Sequence, residues 1–112
     1  MSGMKKIVLC GSTKFIKAFA EWNARLTMKG NLVYSVAVVT TGNSVDDEHK
    51  TLLDYVHMKK IELSDTVFVI DVGGYIGEST AREIRLAKAL GKEIVYLSKE
   101  YPEWTENDHL WT

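Results

Sequence analysis

Residues 67–87, VFVIDVGGYIGESTAREIRLA, hold the change of pattern that decides the fold. An apolar run ends in an acid, Asp71. Gly73, Gly74, Tyr75 and Gly77 follow, then a second acid, Glu78. From residue 79 the apolar positions Ile84, Ala87 and Leu90 recur at helical spacing, and Glu83 sits in the first part of that pattern. The stretch therefore reads as a buried strand, a glycine turn and a helix. Three functions are open to such a turn: a phosphate cradle, a place for paired carboxylates, or a plain connection.

The same alternation extends in both directions. Residues 5–10 (KKIVLC) are a short apolar run stopped by Gly11, and read as a strand. Ser12 and Thr13 open a helical pattern carried by Phe15, Ile16, Phe19, Ala20, Trp22, Asn23 and Leu26, with Gly30 as its C-cap. Residues 32–39 (LVYSVAVV) are β-branched and apolar, as in a strand covered on both faces. Residues 40–48 are a polar loop. Residues 49–64 form a second helix, with Leu52, Leu53, Val56, Lys60 and Leu63 on its inner face, and residues 66–71 the third strand. The third helix covers residues 79–90, and the fourth strand residues 93–97.

The order β-α-β-loop-α-β-α-β implies an α/β, flavodoxin-like or Rossmann-like three-layer sandwich around a small parallel sheet. Right-handed crossovers leave few topologies, and the expected strand order is 2-1-3-4. Residues 1–98 are read as one domain. Residues 99–112 are read as an aromatic tail, with Trp104 and Trp111 covering the core or a subunit contact. In such sheets ligands bind outside the carboxyl ends of the strands, where the strand order reverses. Gly11 to Lys14, the 40–48 loop and Asp71 to Thr80 all arrive there.

Composition narrows the partners. The chain has 112 residues, 14 Lys and Arg against 15 Asp and Glu, and a net charge of −1. That balance argues against a nucleic-acid polymer, which needs a clustered basic excess. The single cysteine, Cys10, rules out an intramolecular disulfide, and there is no Cys/His array of zinc spacing. The apolar stretch near the start is too short for a signal core or a membrane span, so the expected location is the cytoplasm, with no membrane partner. A chain this small buries only roughly two-thirds of its unfolded surface, which favours a homodimer or larger homo-oligomer.

Several residues at the expected cleft carry chemistry. Gly11, Ser12 and Thr13 offer amides and hydroxyls at a helix start, where anions bind and where hydroxyls also serve as plain caps. Gly74, Tyr75 and Gly77 allow close backbone approach, and Tyr75 can stack on a base. Thr80 and Glu83 have the spacing of a capping box, which would account for Glu83 without catalysis. Equally, a carboxylate at a helix's positive end is placed to attack an electrophilic sugar carbon, with Asp71 as its partner. His57 reads as a solvated helix residue, and His49 with Asp46 and Asp47 lacks a fixed metal geometry.

Taken together, Cys10-Gly11-Ser12-Thr13, Ser64-Asp65 before a strand ending in Asp71, and Glu83-Ile84-x-x-Ala87 before Gly91-Lys92 resemble the nucleoside 2-deoxyribosyltransferase superfamily, which includes the deoxynucleoside-monophosphate N-glycosidases. Leu53-Asp54 through Ile61, residues 74–78 (GYIGE) and residues 82–87 are similar to small bacterial and phage proteins near that group. The resemblance covers roughly residues 5–98. It implies Glu83 as a nucleophile at C1′ and Asp71 as the residue that assists with protons and holds the sugar. It also implies a pocket for sugar or 5′-phosphate at Gly11 and Ser12, with phosphate donors from Ser79 and Thr80. The substrate would be a small nucleoside or nucleotide, with no metal and no organic cofactor, and the activity hydrolysis or transfer at the N-glycosidic bond. In this chain Arg82 directly precedes Glu83, and Gly77 and Ser79 stand where the family carries its serine and glycines at a different spacing. The competing readings are a non-catalytic module that senses a nucleotide-derived molecule, and an interaction domain that uses the aromatic tail.

Overall fold

A computed structural model describes residues 4–37 and 46–106. The elements run β1 (Lys6–Gly11), α1 (Ile16–Met28), β2 (Leu32–Tyr34), α2 (Asp47–Leu63), β3 (Thr66–Ile70), α3 (Glu78–Ala89), β4 (Glu93–Tyr96) and α4 (Leu97–Glu100). Short 3₁₀ turns, Thr13–Phe15 and Val72–Gly74, follow β1 and β3. The four strands form one parallel sheet in the order β2-β1-β3-β4, as the alternation predicts.

Period-two alternation along the strands divides the core between the two faces of the sheet. Ile7 and Leu9 of β1 and Phe68 and Ile70 of β3 pack with Phe19, Trp22 and Leu26 of α1 and Leu97 of α4. Val8 and Cys10, with Val67 and Val69, face the other way onto Ile61 of α2 and Ile84 and Ala87 of α3. The result is a three-layer α/β sandwich. Trp22 is the centre of the first layer: its ring lies 4.5 Å from Tyr101 and 5.9 Å from Trp104, so this part of the tail covers the core. Trp111 lies outside the described residues.

Two close backbone features shape the end of the sheet where the cleft lies. Gly11 pairs with Ile70, and a Cβ on it would lie 2.7 Å from the Ile70 carbonyl oxygen. After β3, Gly73 and Gly74 take φ of 64° and 83°, the left-handed conformation that glycine adopts at low cost.

Some expected elements differ. Strand β2 is an edge strand of three residues, not a long strand covered on both faces. Residues 38–45, most of the expected loop and the last part of that strand, lie outside the described residues. Helix α2 is turned relative to its expected inner face. Leu52, Val56 and Leu63 are exposed, and His57 and Ile61 are the buried pair. Leu90 is also exposed rather than inward.

Candidate active site

The cleft lies where the strand order reverses, between the ends of β1 and β3. It has a volume of about 440 Å³, within the roughly 300–1,000 Å³ of small-molecule sites. Gly11, Ser12 and Thr13 line one wall. Tyr75, Gly77, Ser79 and Thr80 line another, and Glu83 and His57 complete it from α3 and α2. Lys50, Asp54 and Lys60 of α2 add charge at its edge.

Each position follows from local structure. The Ser12 hydroxyl accepts from the Lys14 amide and caps the turn that follows β1. Tyr75 is held by an edge-to-face contact with Phe15 and by the Lys14 ammonium 3.3 Å from its ring centre. Gly77 is the N-cap of α3, and among the described residues no side chain caps that helix. Its first amides are therefore free of side-chain acceptors and carry the positive end of the dipole.

Glu83 does not close a capping box. The helix begins at Glu78, so Thr80 is already its third residue and is buried. One helical turn further on, Glu83 reaches across to α2 and β1. Its Oε1 lies 3.7 Å from His57 Nε2, and His57 Nε2 lies 3.4 Å from Cys10 Sγ. Cys10 reaches this place because it shares the sheet face of Val8, against α2 and α3.

The environment sets the protonation states. Burial pushes the Glu83 carboxyl up to about 7, and Asp54 adds to this. The Cys10 thiol, Arg82 and Lys50 act the other way. His57 is brought down to about 4, mainly by burial and then by the charge of Lys60. Burial and the neighbouring Glu83 raise the Cys10 thiol well above its ordinary value. At neutral pH the cluster is a neutral imidazole, a neutral thiol and a carboxyl group near its midpoint.

Asp71 is disposed differently from the expected partner of Glu83. It is 2% exposed and does not line the cleft. The Ser98 amide donates to its Oδ1 at 2.8 Å and the Ser98 hydroxyl to its Oδ2 at 2.6 Å. Gly74 also lies outside the lining. The remaining expected residues, Gly11, Ser12, Thr13, Tyr75, Gly77, Ser79, Thr80 and Glu83, are brought together in one cleft.

His57 and Cys10 are the site residues that sequence reasoning passed over. His57 is 8% exposed rather than solvated. The i, i+4 spacing of Leu53, His57 and Ile61 was the available signal. Cys10 follows Val8 by two, which places it on an inner face of the sheet. His49, by contrast, is exposed and pairs with the Asp46 carboxylate through Nδ1 at 2.9 Å.

This architecture has solved counterparts. A conserved protein from Enterococcus faecalis V583 aligns at 25% identity and a TM-score of 0.56 over 84% of this chain. The chain spans 63% of that protein's length. BcmB, the CMP N-glycosidase of Clostridium botulinum, aligns at 20% identity and a TM-score of 0.56, over 94% of this chain and 87% of that one.

The chain shares its fold with a CMP N-glycosidase. That likeness is one of fold, and it agrees with the parallel α/β architecture expected from the strand and helix alternation. No family model and no curated protein matches the sequence. Among the described residues, no helix is long and apolar enough to cross a membrane.

Proposed function

We propose that the protein cleaves the N-glycosidic bond of a deoxynucleoside, nucleoside or nucleoside 5′-monophosphate, with Glu83 as carboxylate nucleophile. The observation that carries this reading is Glu83 itself. It is a partly buried carboxyl group lining a cleft of ligand size, it has no capping role, and its pKa lies near 7. The fold shared with a protein that bears the name CMP N-glycosidase supports the substrate class.

In the first step a Glu83 oxygen bonds to C1′ of the sugar. The C1′–N bond breaks, its electron pair goes to the base nitrogen, and the base takes a proton from water admitted through the open cleft. In the second step water or another base displaces Glu83 from C1′, giving hydrolysis or transfer. Desolvation that raises the carboxyl pKa also makes its anion more reactive, at the expense of the fraction ionised. His57, neutral and beside Glu83, positions it.

The uncapped amides of α3 and the hydroxyls of Ser12, Thr13, Ser79 and Thr80 would bind the sugar and any 5′-phosphate. Tyr75 would stack on the base. Asp71 is assigned to holding Ser98 rather than to proton transfer. A homodimer or larger assembly belongs to the same proposal.

Incubation with a panel of deoxynucleosides, nucleosides and their monophosphates, with and without an acceptor base, tests this. Release or exchange of base is the expected result. Retention of a nucleotide without any release would identify a binding module instead.

A further inference from the structure

We propose that Cys10, His57 and Glu83 form an exchangeable Zn²⁺ site at the cleft. Their ligand-type atoms all lie within 4.8 Å of one another. Cys10 Sγ is 3.4 Å from His57 Nε2, which is 3.7 Å from Glu83 Oε1. Bonds of about 2.3 Å to sulfur and about 2.0–2.2 Å to nitrogen and oxygen, set at tetrahedral angles, put donors roughly 3.4–3.6 Å apart. One ion therefore fits among the three with only side-chain adjustment.

The donor set selects the metal. A thiolate, an imidazole and a carboxylate suit Zn²⁺ and not a hard ion such as Mg²⁺ or Ca²⁺. The three donors stand on three separate elements, β1, α2 and α3, which fixes their spacing. His57 and Glu83 line the cleft, so a fourth position opens to solvent or ligand. Because the donors are 47 and 26 residues apart in the sequence, no local motif announces them.

The site is exchangeable rather than structural for a specific reason. A firmly held zinc ligand donates its second ring N–H to a partner. His57 Nδ1 is buried with no hydrogen-bond partner among the described residues. Uptake displaces the Cys10 thiol proton to solvent. It also engages the Glu83 carboxylate, so Zn²⁺ would switch off the glycosidic chemistry. That last consequence rests on the function proposed above; the site itself does not.

The test is direct binding to the whole protein. Zn²⁺ is titrated in competition with a chromophoric chelator, and Co²⁺ is used as a spectroscopic probe of the ligands. One equivalent is expected, with a thiolate-to-cobalt charge-transfer band. Cys10→Ser should abolish that band, and Cys10→Ser and Glu83→Gln should each weaken Zn²⁺ binding by at least ~10- to 100-fold. His49→Ala, which removes the exposed Asp46–His49 pair, should leave both unchanged. If Cys10→Ser fails to fold, Glu83→Gln carries the test, since Glu83 is only partly buried. The proposal is overturned by absence of stoichiometric uptake in the wild type, by unchanged affinity in Glu83→Gln, or by loss of binding in His49→Ala. The readout is metal binding and not base release, so its failure and that of the proposed function are separate results.

Discussion

Glu83 Oε1 lies 3.7 Å from His57 Nε2, and burial drives the two groups in opposite directions, one up to about 7 and the other down to about 4. Both therefore favour their uncharged forms. This shared neutrality gives the cluster its pH behaviour.

Activity should follow the ionised form of Glu83. If the anion attacks C1′, kcat/KM rises with pH through about 7 and then levels. The Cys10 thiol lowers the Glu83 value, so Cys10→Ala should move the rising limb to higher pH. A pH profile that falls through this range would make Glu83 a proton donor instead.

Stability should show two opposed slopes. The folded pKa of Glu83 lies above its ordinary 4.5, so its contribution is complete below pH 4.5 and lost as pH rises through about 7. His57 lies below its ordinary 6.5, so its contribution is complete above pH 6.5 and lost as pH falls through about 4. Over the shared range the two cancel. Glu83→Gln should expose the His57 slope, a loss on the order of 3 kcal/mol on acidification. His57→Asn should expose the reverse slope. Urea unfolding at stepped pH checks both, and parallel curves for wild type and variants would contradict the assignment.

Most of the fold was legible because β1 and β3 are uninterrupted apolar runs and glycines mark their ends. The turn of α2 was not, since residues 49–64 carry two apolar stripes. Leu52, Val56 and Leu63 are three apolar residues against the two, Leu53 and Ile61, of the stripe that holds His57, yet His57 and Ile61 are the buried pair and Leu53 is half-buried. Hydropathy counts favour the first stripe, but a histidine with a neutral ring can occupy the second. Asp71 was misplaced for a different reason. It closes the apolar run of residues 66–71, and the carboxyl end of that strand is where the cleft is expected. The strand ends at Ile70, however, and at Asp71 the backbone turns (φ −111°, ψ 64°), so its carboxylate meets Ser98. Glu83 was found at the cleft, but its partners were not, because they come from β1 and α2.

Gly11→Ala should destabilise the protein without touching any catalytic group. The added Cβ meets the Ile70 carbonyl oxygen at 2.7 Å, a backbone atom that cannot swing away. A loss of about 1–3 kcal/mol is expected, as for other overpacked sites. Thermal unfolding measures it, and an unchanged midpoint would show that β1 and β3 can separate at that end.

Asp71 and Ser98 should behave as one unit. Asp71→Ala and Ser98→Ala should each lower stability, and the double variant should lose less than the two losses combined, with a coupling of roughly 0.5–3 kcal/mol. Additive losses in a denaturation cycle would mean that the Ser98 hydroxyl and the Asp71 carboxylate are not energetically coupled.

The most direct measurement is base release by wild type and Glu83→Gln on the same substrate, with circular dichroism to confirm that both are folded. Gln preserves the size of the side chain and removes the nucleophile. Release by the wild type, with a loss of several orders of magnitude in folded Glu83→Gln, is the result expected of a carboxylate nucleophile. Equal release by both proteins would contradict that role and place the chemistry on another group.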